Sequence, residues 1–207
     1  MGLPVTHERL YTADEYLRLE HGAEEKHEYE RGRIVGMAGA SVQHVRIATS
    51  LLIALGGRLR GSPCAAFGSD LRVRLQDRQR YVYPDVTVIC GKVELDPTDK
   101  WGQTATNPRL VVEVMSPSTE KKDRGEKFDR YRAVPSLREY VLVDQEQARV
   151  DTYHRNEDRT WTFDAAVGVG AVVRLRSLGI DVPLAEVYAG AELAPVIEPQ
   201  DEVPPGS

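Results

Sequence analysis

The sequence predicts a mixed α/β (α+β) fold in one domain, and three observations predict it. The chain has 207 residues, the length of one domain with modest additions. Hydrophobic residues make up 41% and charged residues 29%, a globular balance that supports a sizeable core without disulfide or metal staples. The order of periodicities is a short helix, then strand and helix, then several strands, a helix and more strands. Strict strand–helix alternation is absent, and so are a helix bundle and internal repeats.

Thr12 begins a capping-box pattern with Glu15, which predicts a helix over about 13–20. A charged stretch, 21–30, leads to a turn around Arg31-Gly32-Arg33, and Ile34 to Met37 reads as a strand. Ser41 caps a longer helix over 42–59, whose apolar positions Val45, Ile47, Ala48, Leu51, Leu52, Leu55 and Leu59 recur at helical spacing. Leu71, Val73 and Leu75 alternate with Arg72, Arg74 and Gln76, the pattern of a half-buried strand. Tyr81 to Cys90 is β-branched and aromatic, and 91–107 reads as a loop. Arg109 to Met115 reads as a fully buried strand. Ser118 or Thr119 then caps a charged helix to about Ala133, stopped before Pro135. Segments 139–144, 149–154, 161–166 and 171–175 continue as strands, and 184–188 as a helical turn. The expected domain spans 1–190, and 191–207, rich in Pro, Glu and Gly, reads as a disordered tail.

Lys and Arg number 27 and Asp and Glu 32, a net charge of −5. That argues against a protein whose whole surface grips nucleic acid, while leaving room for a local basic patch. Cys64 and Cys90 are too few for a disulfide framework or a four-cysteine metal site, and nothing in the sequence pairs them. Met1 to Tyr11 has no apolar leader, and no run reaches the roughly 20 apolar residues of a membrane span. The expectation is a cytoplasmic protein with no membrane partner.

Two acids stand out. Glu113 is the only polar residue in Leu110-Val111-Val112-Glu113-Val114-Met115. A carboxylate in such a run is protonated, or meets a cation, or forms a structural ion pair, because burying it alone is costly. Asp85 is the only acid in Tyr83-Pro84-Asp85-Val86-Thr87-Val88. Pro84 donates no ladder bond, so a strand begins, bulges or lies at an edge there. On neighbouring strands, the two acids converge on a hard cation such as Mg²⁺, which takes carboxylates, water and substrate phosphate and supports phosphodiester hydrolysis. Asp70 is a third acid, either a ligand or a turn residue. The segment from Glu120 to Arg132 carries six bases and four acids. It reads either as a solvated face with pairs such as Asp123–Lys127, or as a helix brought to the acids by the strand–helix junction. Asp123, Lys127 and Tyr131 lie on one stripe of it, beside Arg124 and Arg130, where a lysine orients the attacking water or stabilises phosphorane charge.

These segments resemble the Uma-two family of putative restriction endonucleases. The resemblance rests on Pro84-Asp85-Val86, on Leu110 to Thr119 with its Glu-Val-Met-Ser-Pro-Ser-Thr block, on Asp123-Arg124-Gly125-Glu126-Lys127 with Tyr131, and on Val134 to Asp144. Tyr16-Leu17, Glu28 to Val35 and Ser41 to His44 fit as well, so it covers about Thr12 to Tyr188. It implies a restriction-endonuclease-like core of the PD-(D/E)XK nuclease superfamily, a mixed central β-sheet flanked by helices. Asp85 then matches the motif Asp and Glu113 the motif Glu, both as catalytic metal ligands, with Asp70 as a further metal candidate. Met115 stands where the motif lysine belongs, and Lys127 is the natural substitute. Glu28 and His44 match positions where the family carries an acid and a histidine. They are accessory candidates with Asp123 and Tyr131, and for His44 a structural hydrogen bond is an equal alternative. Lys121, Lys122, Arg124 and Arg130 are the candidate nucleic-acid-binding residues.

The leading expectation is a Mg²⁺- or Mn²⁺-dependent endodeoxyribonuclease with DNA as substrate, acting as a homodimer by family analogy. The alternative is a nucleic-acid-binding or protein-interaction module that kept the fold and lost the chemistry, which Met115 favours. A weaker one is a hydrolase of another phosphate compound, although no Gly-rich phosphate loop is present. No zinc-finger spacing or helix-turn-helix marks a separate DNA-reading domain.

Overall fold

The computed structural model describes residues 9–75, 78–116 and 123–193, with the backbone alone for Asp123 and Arg124. The candidates Lys121 and Lys122, the helix caps Ser118 and Thr119, and the tail beyond residue 193 lie outside these residues.

The chain opens with α1 (Ala13–His21), whose cap is the expected one: the Thr12 hydroxyl accepts from the Glu15 N–H, and the Glu15 carboxylate accepts from the Thr12 N–H. β1 (His27–Glu30) and β2 (Arg33–Gly36) form a hairpin around Arg31 and Gly32. Both turn residues have positive φ, 46° and 92°, as a tight two-residue hairpin turn requires. β1 is a departure from the expected charged stretch, because its polar alternation hides it from a hydrophobic pattern. α2 (Val42–Arg58) follows, capped by Ser41. Next come β3 (Cys64–Gly68), β4 (Arg72–Arg74), β5 (Arg80–Val82), β6 (Val86–Cys90), β7 (Thr104–Ala105) and β8 (Leu110–Met115). A π-helical turn, Asp123–Lys127, runs into the short α3 (Phe128–Tyr131). β9 (Glu139–Asp144), β10 (Arg149–Arg155), β11 (Trp161–Val167), β12 (Val172–Leu175), β13 (Ile180–Pro183) and α4 (Leu184–Val187) complete the described chain.

A six-stranded mixed sheet, in the order β11-β10-β9-β8-β6-β3, is the centre of the fold. A five-stranded sheet, β2-β1-β5-β4-β7, stands against it, and β12 and β13 pair separately. The segment read as one strand, Tyr81 to Cys90, is two strands in two different sheets. The chain leaves one sheet and enters the other through Tyr83-Pro84-Asp85, where Pro84 has no N–H to continue a ladder.

Alternation along β8 sorts the core. Val112 and Val114 face α2, packing with Ile47, Leu51 and Leu55 and with Val86, Val141 and Val143 of neighbouring strands. Val111 and Met115 face the other way, against Tyr131, Tyr140 and Leu142 and against Val73, Leu75 and Val82 of the second sheet. Glu113, between Val111 and Met115 with period two, shares that second face. α1 packs Tyr16 and Leu17 on the second sheet against Tyr29 and Tyr81.

Two local expectations are corrected. Arg72 and Arg74 do not simply face water: Arg72 is 1% exposed, because both faces of β4 are covered. Cys64 and Cys90 are paired in a disulfide. They are directly opposite each other in the β3–β6 register, a relation that their separation of 26 residues conceals.

Candidate active site

The antiparallel register of β6 and β8 places Val86 opposite Val112. Asp85 is the residue just before β6 and Glu113 the residue just after Val112 on β8, so the two acids lie at the same end of the paired segment. The Asp85 Oδ2 accepts from the Val114 N–H at 2.7 Å, which fixes the side chain against β8. The Oδ1 is 2.8 Å from His44 Nε2. Ser41 caps α2 through the His44 N–H, so His44 occupies the first turn and reaches over the end of the strand. The Asp85 bond holds the His44 ring above its ordinary pKa despite burial, with the charges of Asp85 and Glu113 favouring protonation and Lys127 opposing it.

Glu113 has an 8% exposed side chain. Its Oε2 is 3.0 Å from Lys127 Nζ, and its Oε1 accepts from the Tyr131 hydroxyl at 2.8 Å. Both partners come from the helical segment after β8, at the four-residue spacing read from the sequence. The ion pair answers why a carboxylate tolerates this strand. Burial pushes the Tyr131 hydroxyl well above its usual pKa, and the charges of Glu113 and Glu28 push it the same way. It therefore stays a neutral donor.

Asp85, Glu113, His44, Lys127 and Tyr131 are thus brought together, and Glu28 is near enough for its charge to bear on Tyr131. Asp70 and Arg130 are each held in an ion pair of their own. The Asp70 side chain is 98% exposed and pairs with Lys26 at 2.9 Å, since it lies two residues beyond the end of β3 with nothing to turn it inward. Among the described residues no group of three His, Cys, Asp or Glu side chains is placed to hold a metal ion. Arg130 is no free phosphate hand: it pairs with Glu30 at 2.6 Å and with Glu126 at 3.0 Å, docking α3 on β1. The side chains of Asp123 and Arg124 lie outside what is described.

The donor set is two carboxylates, Glu113 on β8 and Asp85 just before the adjacent β6. That suits an ion such as Mg²⁺, which uses one or two protein carboxylates and keeps waters and substrate oxygens for the rest. It does not suit a closed protein cage. Sequence reasoning missed a second polar network beside the acids. The Tyr83 hydroxyl donates to Glu20 at 2.9 Å, and Arg72 reaches Tyr83 at 3.3 Å and Asp99 at 3.0 Å. Its only sequence signal was an arginine alternating with apolar residues in β4.

A family model described as Uma2, putative restriction endonuclease, matches residues 13–185. The chain belongs to the Uma2 family. Two uncharacterised Synechocystis proteins are similar along nearly their whole length. One, slr1290, is 39% identical over 178 residues, covering 86% of this chain and 90% of the relative. The other, sll1609, is 36% identical over 172 residues, covering 83% and 96%. A crystal structure of a putative nuclease of the DUF820 group from Anabaena variabilis superposes with a TM-score of 0.69 at 17% identity, over 86% of this chain and 97% of that one. At that identity the likeness speaks for the fold, and the restriction-endonuclease-like core expected of the Uma2 chain is present. Among its described residues no helix is long and apolar enough to cross a membrane.

Proposed function

We propose that this Uma2 chain is a metal-dependent endodeoxyribonuclease that hydrolyses phosphodiester bonds in DNA with Mg²⁺ or Mn²⁺. The observation that carries the reading is the meeting of Asp85, Glu113 and Lys127 at one end of the β6–β8 pair: Asp85, just before β6, bonds the Val114 N–H next to Glu113, and an ammonium is 3.0 Å from the Glu113 carboxylate. Family membership supports the substrate class.

In this reading Asp85 and Glu113 hold the cation, which when bound lowers the pKa of water and offsets charge on the phosphate. His44 and the Val114 N–H orient Asp85. Tyr131 orients Glu113 and withholds its own proton. Lys127 holds its ammonium at the Glu113 carboxylate, where it orients the attacking water and stabilises negative charge developing on the phosphorane oxygens. Lys121, Lys122 and Arg124 supply phosphate contacts from the segment that precedes α3. The acting unit is a homodimer, supported by the open edge of β11, where Phe163 and Val167 are each 51% exposed.

The test is plasmid nicking by the purified protein with Mg²⁺ or Mn²⁺, beside Asp85→Asn and Glu113→Gln, with sedimentation of the same samples. Metal-dependent cleavage lost in both variants is expected. Cleavage equal in all three, or absent from the wild type, defeats the reading. Met115 in the motif-lysine position favours one alternative, a binding module without chemistry. That module binds DNA or a protein partner while showing no Asp85-dependent Mn²⁺ binding by calorimetry.

A further inference from the structure

We propose that Gln43 is a positioning residue for the candidate active site: it fixes the first turn of α2 so that His44 stays on Asp85. Its bearing on catalysis rests on the nuclease reading above. The need for such a residue follows from how α2 is packed. The buried side chains of the helix are Ile47, Leu51, Ala54 and Leu55, so burial begins about one turn beyond His44. Before them Val42 is 76% and Val45 52% exposed, and the stretch from Met37 to Ser41 is exposed throughout. Apolar packing therefore does not hold the first turn, and helix ends open most readily.

Polar bonds hold it instead, and those of Gln43 reach two other segments. Its Nε2 donates to the Gln145 carbonyl at 3.1 Å and to the Glu192 carbonyl at 2.9 Å, and its Oε1 accepts from the Glu192 N–H at 3.1 Å. Both anchors are themselves fixed. The Gln145 N–H donates to the Met115 carbonyl at the end of β8, and Asp144 ties down the same turn by accepting from the Glu146 and Gln147 N–H groups. Glu192 lies between Ala191 and Leu193, which pack against the core. The Ser41 hydroxyl, which accepts from the His44 N–H, donates to the Gln145 side chain at 3.3 Å, a second link between α2 and the β9–β10 turn.

These bonds close a ring on two consecutive residues of β8. Met115 connects through Gln145 to Gln43, and Val114 connects through Asp85 to His44. Gln43 and His44 are adjacent and project about 100° apart around α2. Holding Gln43 to the β9–β10 turn thus sets the rotation of the first turn and the direction of His44. The Asp85 carboxylate only accepts, so His44 Nε2 carries the hydrogen of their bond. Arg46 also ties α2 to the C-terminal segment, donating to the Gly190 carbonyl at 2.6 Å, but that bond does not reach the β9–β10 turn.

The experiment uses metal-free, full-length protein. Nitrogen-15 NMR follows the His44 Nε2–H signal, assigned by its absence from His44→Gln, and calorimetry follows Mn²⁺ binding. In the wild type the bond to Asp85 protects this hydrogen from exchange and the signal is sharp. Gln43→Leu removes the amide at similar size. It is expected to broaden or erase the signal and to weaken Mn²⁺ binding by about tenfold, the low end of losing a group that orients a metal ligand. Arg46→Met is expected to leave both as in the wild type. A merely structural role lowers the Tm of Gln43→Leu without moving the His44 signal, and that result overturns the proposal. An equal loss in Arg46→Met, no protected signal in the wild type, or Mn²⁺ affinity in Gln43→Leu equal to that of a wild type that binds also overturns it. The two readings fail separately. If the signal holds in Gln43→Leu while DNA cleavage depends on Asp85 and Glu113, the positioning falls and the nuclease stands. If the signal is lost in Gln43→Leu and the wild type neither binds Mn²⁺ nor cuts DNA, the positioning of His44 stands and the nuclease reading falls.

Discussion

Lys127 Nζ lies 3.0 Å from Glu113 Oε2, although the two residues belong to different elements and lie 14 residues apart in the chain. The ammonium reaches the β8 carboxylate from the helical segment that follows. Lys127→Met should therefore reduce metal-dependent DNA cleavage by about 10²–10³-fold, the scale of losing one transition-state charge donor. Adding Met115→Lys to that variant should restore part of the rate. Initial nicking rates at saturating Mn²⁺ read both outcomes, and a Lys127→Met rate equal to wild type removes Lys127 from the chemistry.

Tyr131 donates to Glu113 at 2.8 Å and is 1% exposed. Tyr131→Phe keeps the ring packing on Tyr140, whose centroid is 5.1 Å away, and deletes only the hydroxyl. Hydrogen bonds to charged groups contribute about 1.5–3 kcal/mol. Urea unfolding should show a loss of that size with an unchanged m-value. A loss near zero means that the bond carries nothing.

Arg72 and Asp99 form an ion pair at 3.0 Å with side chains 1% and 0% exposed. Arg72→Met leaves a buried carboxylate without its cation and should cost about 3–5 kcal/mol. Burial pushes the Asp99 carboxyl up. The Thr104 hydroxyl, the Trp101 N–H and Arg72 more than offset that, so it titrates below its ordinary 3.8. With the folded value depressed, ionised Asp99 stabilises the protein above that ordinary value. The contribution is lost as pH falls through the folded value. Tm should fall steeply below about pH 4 in the wild type and less steeply in Asp99→Asn. Parallel Tm–pH curves would rule this out.

Gly32 sits at φ +92°, and a Cβ there would come 3.1 Å from Leu10 Cβ. Its carbonyl also accepts from the Tyr11 N–H at 2.8 Å. Gly32→Ala should cost about 1–2 kcal/mol, the scale of a left-handed conformation for a residue with a Cβ. Because the turn sets the β1 register, the variant should also lower DNA cleavage if Glu28 serves the site. Thermal melts and nicking rates, taken together, separate the two effects.

Several features were legible because their signals are local. The Thr12–Glu15 capping box, the apolar stripe of α2, the apolar run of β8 interrupted by Glu113, and the strands β9 and β10 each follow from a few consecutive side chains. So does the four-residue spacing that lets Lys127 and Tyr131 reach one carboxylate. Other features were hidden because their cause is distant. The polar β1 is a strand only because β2 and β5 flank it. Tyr81 to Cys90 is one run in sequence but feeds two sheets, and Arg72 is buried by distant Tyr16, Tyr83, Asp99 and Thr104.

The sequence by itself determined that Asp85 and Glu113 are exceptional, since an acid inside an apolar run demands compensation wherever the run goes. It also determined that a lysine follows at helical distance. Only the tertiary structure decided which groups compensate them. Asp85 bonds the Val114 N–H beside Glu113, α2 brings His44 to Asp85, and the helical segment 123–131 brings Lys127 to Glu113. It left Asp70 outside with Lys26, committed Arg130 to Glu30, and joined Cys64 to Cys90. Those choices depend on contacts between segments far apart in the chain, and the closing of such contacts is settled by whole-sheet packing rather than by any local pattern.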